Sequence, residues 1–330
     1  MKVLGMGNAL VDMMIELPDE SLLKEFDLRK GSMQLIDKDF SNLMLEKIQH
    51  LKRSEISGGS AANTICGLAA MGVETAFIGK IGKDRLGDVF EKGLILNGIH
   101  PMLQYSSSET GHVLALVSPD SERTFATHLG AAVELEPDDL TSEMFAGYTH
   151  FYIEGYLVQH HELIRRAVEL AVENHLDVIL DLGSFNVVED NLEFLHFLVK
   201  EYAYVVFANA EEARVYSKGK NMEEALAEIA HDSWIAVIKK GKDGSLIQNG
   251  EQVYRISATK VNCIDTTGAG DLYAAGFLYG MFSNLNLPLC GEIGSILAGK
   301  VIEVIGARIP DAIWPEIKDQ VKSIIYKQLG

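Results

Sequence analysis

The chain has 330 residues, 47% hydrophobic and 23% charged, which is the composition of a globular protein able to bury a substantial core. Its formal net charge of −18 excludes a surface built for nucleic acid or anionic lipid, although backbone amides can hold a phosphate without any basic side chain. Cys66, Cys263 and Cys290 form no C-x-x-C pair, so neither a disulfide framework nor structural zinc is expected, and a reducing, cytoplasmic setting is the simpler reading. No apolar run reaches the roughly 18 residues of a membrane span, and the start KVLGMGNAL is too broken by glycine for a signal-peptide core.

In chain order, residues 2–7, 75–79, 149–153, 178–181, 204–208 and 234–239 read as short buried strands, each bounded by Gly, Asp, Asn or a charge. Between them, residues 61–71, 85–96, 162–173, 192–200 and 223–230 carry apolar residues at helical spacing. This alternation predicts an α/β fold: a doubly wound, mostly parallel sheet with helices on both faces, binding ligands beyond the carboxyl ends of its strands. Two segments, 11–36 and 100–128, break the rhythm with short alternating patterns, including a strand at 111–117 and a turn at Pro119-Asp120-Ser121. They are expected to form a small β-sheet lid over a core made of residues 1–10, 37–99 and 129–330, where nucleotide and substrate would bind.

The most informative stretch is Asp265-Thr266-Thr267-Gly268-Ala269-Gly270-Asp271, followed by LYAAGFLYGM. Helical spacing of Ala274, Phe277, Leu278 and Met281 starts a helix near Gly270. Three small residues before it leave amides uncovered at the positive end of the helix dipole, a place for an anion. A carboxylate there is an ordinary cap, or else a proton acceptor beside a phosphoryl site. The Walker pattern G-x-x-x-x-G-K-[ST] is absent.

D-T-T-G-A-G-D resembles the signature of the ribokinase-like carbohydrate kinases, the PfkB family, which includes adenosine kinases. The resemblance implies that Asp271 is the general base and that Gly268, Ala269 and Gly270 form the anion hole. Ser57-Gly58-Gly59-Ser60-Ala61-Ala62-Asn63-Thr64 is similar to the family's G-G-x-x-x-N motif, which puts Gly58, Gly59 and Asn63 at the acceptor. Gly7-Asn8-Ala9-Leu10-Val11-Asp12 resembles the first-strand end of adenosine-kinase-like members and implies that Asp12 binds acceptor hydroxyls. Asn209-Ala210-Glu211-Glu212 matches N-x-x-E, implying Asn209 at the nucleotide and Glu212 at Mg²⁺ through water. Lys240-Gly241-Lys242-Asp243-Gly244 resembles the K-G-x-x-G turn, with Gly241 and Gly244 near the nucleotide. Arg123 is the cationic lid candidate to approach the transferred phosphoryl group, and Asp265 and Thr267 are candidate ligands of a monovalent cation such as K⁺.

The expected reaction is transfer of the γ-phosphoryl group of ATP, with Mg²⁺, to a hydroxyl of a sugar or nucleoside. G-N-A-L-V-D and residues 152–156 look like adenosine kinases, whereas Ala61-Ala62 looks like bacterial sugar kinases. A ribose-containing acceptor is favoured, with a fructose-type sugar as the alternative, and Phe125, Tyr105 and Phe151 are candidate walls for a base. Partners would be small molecules, not nucleic acid or membrane; a homodimer through the lid is compatible with the pattern. Two rival classes are a sugar- or nucleotide-binding regulator without turnover, and a nicotinamide-dependent oxidoreductase. The second would rest on Gly5-Met6-Gly7-Asn8-Ala9-Leu10, a partial dinucleotide fingerprint whose sixth position is Leu10. His160-His161 lacks ligand spacing for a metal hydrolase.

Overall fold

The computed structural model describes residues 1–120 and 122–329, so Ser121 of the expected turn lies outside the described residues. Among the described residues, fourteen strands form two sheets. They are β1 (Lys2–Met6), β2 (Leu10–Glu16), β3 (Met33–Leu35), β4 (Arg53–Gly58), β5 (Glu74–Gly82), β6 (Ile99–Ser106) and β7 (Thr110–Val117), then β8 (Arg123–Gly130), β9 (His150–Glu154), β10 (Asp177–Asp181), β11 (Ala203–Asn209), β12 (Ile235–Lys239), β13 (Ser245–Asn249) and β14 (Gln252–Ile256). The large sheet has nine strands in the order β14-β13-β12-β11-β10-β9-β1-β5-β6. It is parallel from β6 to β12, and β13 and β14 continue it antiparallel.

Both faces of the sheet are covered, so its strands are apolar almost throughout, with successive side chains entering opposite layers. Val3 and Phe77 point to one apolar layer, with helices Ser60–Met71, Ala269–Phe282 and Leu287–Val301. Leu4, Met6, Ala76 and Ile78 point to the other, with helices His161–Glu173, Leu192–Tyr202 and Met222–Asp232. The winding direction reverses around β1, which lies between β9 and β5, and such a switch point opens a crevice at the carboxyl ends of the strands.

The second sheet has the order β3-β8-β7-β2-β4. Its boundaries differ from the expectation in two places. β4 comes from the stretch expected as core; its pattern RSEISG is mostly exposed and offers little apolar alternation to read. β6 falls in the stretch expected as lid but pairs with β5 as the outermost strand of the large sheet, where Pro101 is tolerated. After β1 the chain turns directly into β2, a strand where a dinucleotide fingerprint needs a helix, so that rival has no structural basis. Among the described residues no helix is long and apolar enough to cross a membrane, and no cluster of His, Cys, Asp and Glu could hold a metal ion.

Candidate functional site

A cleft of about 2810 Å³ runs along the carboxyl end of the large sheet and under the second sheet. Single-ligand pockets hold roughly 300–1,000 Å³, so this one accommodates two substrates side by side. Asp271 lines it, in the first turn of the helix Ala269–Phe282. Gly268, the N-cap, has φ +74°, a left-handed conformation open to glycine, and a Cβ on it would lie 2.7 Å from the Cβ of Ala307. The amide of Ala269 closes a turn on the carbonyl of Thr266 at 3.2 Å. The amides of Gly268, Gly270 and Asp271 make no hydrogen bond among the described residues, so they, rather than 268–270, are the uncovered donors.

The two glycine motifs meet at Asp271. Ser60 Oγ donates to its Oδ1 at 2.7 Å and Asn63 Nδ2 to its Oδ2 at 2.9 Å, both from the start of the helix Ser60–Met71. Asn63 was expected at the acceptor's hydroxyls; its amide instead holds the carboxylate, while its Oδ1 has no partner among the described residues. Burial pushes the Asp271 carboxyl up to about 6; Asn63 and Ser60 oppose this by bonding the ionised form, and Asp181 adds to it by repulsion.

Asp12, on β2, lines one end of the cleft. A Cβ on Gly58 would lie 2.3–2.5 Å from all three carboxyl atoms of Asp12, so glycine is what lets this side chain approach the motif. Burial raises Asp12 to about 6, and the guanidinium of Arg308 counters that rise. Arg308 is itself fixed by Ser57, donating through Nη2 and Nε to the carbonyl at 2.8 and 3.2 Å, and its Nη1 has no partner among the described residues. Gly59 lines the cleft beside these groups.

At the other end, Asn209 and Glu212 form a capping box on helix Ala210–Tyr216: Asn209 Oδ1 accepts from the amides of Glu211 and Glu212, and Glu212 Oε2 accepts from the Asn209 amide at 2.7 Å. This spends the Asn209 side chain locally. Glu212 still lines the cleft, raised to about 7 by burial and by the repulsion of Asp181. Two repelling carboxylates fit a hydrated divalent cation held through water. Gly241 and Gly244 lie in a turn on the same wall.

Asp265 and Arg123 depart from expectation together. Arg123 Nη1 stands 2.5 Å from Asp265 Oδ1, both side chains nearly buried. The same oxygen accepts from the Thr267 amide and hydroxyl, and Oδ2 accepts from the Gly306 amide at 2.6 Å. With both oxygens engaged and a guanidinium supplying the positive charge, Asp265 and Thr267 do not fit a K⁺ ligand pair, and Arg123 is spent as a tie between β8 and the loop before the helix. Of the candidate walls, Phe125 lines the cleft; Phe151 is core, packed on Phe145, and Tyr105 lies outside, bonded to Glu91.

Several site residues escaped sequence reasoning. Glu154, Asp181 and Lys239 each end a strand of the large sheet. A charge closing an apolar strand at its carboxyl end was the available signal. Glu154 accepts from the amide and Nδ2 of Asn8 and from the amide of Ala61, bracing β1 against the glycine motif. Lys239 Nζ donates to Asp181 at 2.6 Å.

Comparison with known proteins bears on the family and the fold. The family model of pfkB family carbohydrate kinases matches residues 33–314. A crystal structure of adenosine kinase from Sinorhizobium meliloti superposes with a TM-score of 0.87 at 33% identity, covering 97% of this chain and 98% of that one. A probable sugar kinase from Rhizobium etli superposes with a TM-score of 0.88 at 32% identity over the same shares. The 5-dehydro-2-deoxygluconokinase of Bacillus licheniformis is 28% identical over 296 residues, 84% of this chain and 90% of that protein. The chain belongs to the pfkB family of carbohydrate kinases, phosphotransferases that take an alcohol group as acceptor.

Proposed function

We propose that the chain transfers the γ-phosphoryl group of ATP to a hydroxyl of a ribonucleoside or another ribose-containing acceptor, with Asp271 as the general base. The observation that carries this reading is the placement of Asp271, hydrogen-bonded to Ser60 and Asn63, in the same helical turn as the uncovered amides. A carboxyl raised to about 6 is ionised at neutral pH, yet basic enough to take an alcohol's proton as the phosphoryl group arrives. The amides of Gly268, Gly270 and Asp271 would hold the charge that develops on the phosphoryl oxygens.

Asp12 would accept from the ribose hydroxyls. The inner face of the second sheet presents Leu10, Met14, Val113, Ala115 and Phe125 to the cleft, an apolar wall suited to a flat base. Mg²⁺ would be held by Glu212 through water, with Asp181 nearby, and would neutralise charge on the nucleotide's phosphates. A second reading, a keto sugar acid of the kind named for the Bacillus relative, is favoured by the unpartnered Nη1 of Arg308, which could take a carboxylate.

The test is a phosphoryl-transfer screen with adenosine, inosine, ribose, fructose and 5-dehydro-2-deoxygluconate. Turnover should be fastest with a ribonucleoside, and Asp271→Asn should lower kcat by about 10²–10⁴ while binding of both substrates survives. Preference for the keto acid would replace the first reading by the second, and a loss below tenfold in Asp271→Asn would remove the base.

A further inference from the structure

Three charged side chains, Asp181, Glu212 and Lys239, crowd one side of Asp271, and one of them is a cation. Asp181, Glu212 and Asp271 are carboxylates; burial raises Glu212 and Asp271, and repulsion from Asp181 adds to both. Lys239 is the ammonium among them. The parallel register delivers it there: Lys239 pairs with Asn209 across β12 and β11, and Asp181 pairs with Phe207 across β10 and β11. Three strands distant in sequence therefore end side by side at the cleft.

The ammonium is also close to the phosphoryl cradle. A Cβ built on Gly270 would lie 3.2 Å from Lys239 Nζ, so the absence of a side chain at Gly270 leaves the ammonium open to whatever the cradle holds. One of its three N–H groups goes to Asp181 Oδ2 at 2.6 Å; the others have no partner among the described residues, and the side chain, 14% exposed, lines the cleft. Phe207 lies under it, with Nζ 5.8 Å from the ring centroid.

A purely structural ion pair is the competing explanation, and it is a weak one. Exchanging a buried pair for apolar residues is often neutral or better for stability, so stability alone gives little reason to keep this one. Burial opposes the charge on Lys239, yet Asp181 and Glu212 outweigh it and keep the amine protonated, as a phosphate ligand must be.

The geometry points to Lys239 as a catalytic residue: its ammonium contacts the oxygens of the transferring γ-phosphoryl group, using N–H groups that Asp181 leaves free. This rests on the phosphoryl-transfer reading. In the step itself the acceptor oxygen bonds to the γ-phosphorus while the bond from that phosphorus to the β,γ-bridging oxygen breaks, its electron pair leaving with ADP. The acceptor's proton goes to Asp271. Lys239 keeps all its protons and balances charge on the non-bridging oxygens, while Asp181 holds the ammonium in place.

Lys239→Met, Lys239→Arg and the double variant Lys239→Met/Asp181→Asn test the assignment. In Lys239→Met, kcat should fall about 10²–10³-fold with the acceptor KM within about threefold of wild type, and Lys239→Arg should recover part of the loss. Affinity for the non-hydrolysable ATP analogue AMP-PNP should fall about tenfold relative to that for ADP, because only the former carries a γ-phosphoryl group. The double variant should recover the melting temperature lost in Lys239→Met but not its kcat. Wild-type turnover, measured alongside, tests the acceptor reading separately. The proposal is overturned if Lys239→Met loses less than tenfold in kcat, if AMP-PNP and ADP weaken equally, or if the double variant restores kcat together with stability.

Discussion

Ser60→Ala probes the site through one hydrogen bond. Ser60 Oγ donates to Asp271 Oδ1 at 2.7 Å, a bond available to the ionised carboxylate and one of two that hold its pKa down against burial. A hydrogen bond to a charged group contributes about 1.5–3 kcal/mol, and 1.36 kcal/mol corresponds to one pKa unit, so its loss should raise the base by about one to two units. The sign follows from which form is stabilised. Removing a donor to the anion favours the acid, so the base becomes protonated at higher pH and activity is lost sooner as pH falls. The acid limb of kcat/KM, set in the free enzyme by groups near 6, should therefore move up by about one to two units while the plateau above it changes little. The assay is initial rate against pH between about 5 and 9, with ADP release coupled to a chromogenic reaction and the melting temperature checked at each pH. An acid limb that stays in place or moves down would refute the role given to this hydrogen bond, and with it the assignment of the limb to Asp271.

Three further outcomes follow from other parts of the site. Gly58→Ala drives a methyl group into the Asp12 carboxyl, so acceptor KM should rise at least about tenfold with kcat less affected, as initial rates over an acceptor titration would register. Arg123→Met leaves the buried Asp265 without its guanidinium and should cost roughly 3–5 kcal/mol of stability in denaturant titration. Asp12, Glu154, Glu212 and Asp271 all sit above their ordinary range, at about 6 to 7, so the folded state binds more protons than the unfolded one between about pH 4 and 7. Their stabilisation is full below that window and lost as pH rises through it. The melting temperature should thus rise as pH falls from 8 to 6.5, after which the buried neutral His112 and His150 act in the opposite direction.

The sheet and its covering helices were readable because their signals are local. The 85–96 helix agrees at both ends with Arg85–Leu96, and the small-residue loop before Asp271 does open a helix. What escaped was created by register. Asp181 and Lys239 look like ordinary strand endings until parallel pairing sets them around Phe207 and Asn209. Ser60 and Asn63 lay in a motif that was read, but their shared contact with Asp271 bridges more than two hundred residues and has no sequence trace. Phe151 and Phe125 are indistinguishable as letters; one faces a covered layer and the other the cleft, and strand parity within the assembled sheets decides which. Asp265 shows the opposite failure: its motif was legible, but Arg123 arrives from the second sheet and takes the place expected for a metal ion.

The position of β1 has a consequence for how the chain is made. The first strand described in chain order is an interior one: Val3 pairs with Thr75 on one side and with His150 on the other. The backbone N–H and C=O groups along its two edges cannot both be paired until β9 has been synthesised, so a nascent chain that ends before His150 carries an open, sticky strand edge. Holdase chaperones should therefore bind this edge early and release it once β9 has emerged.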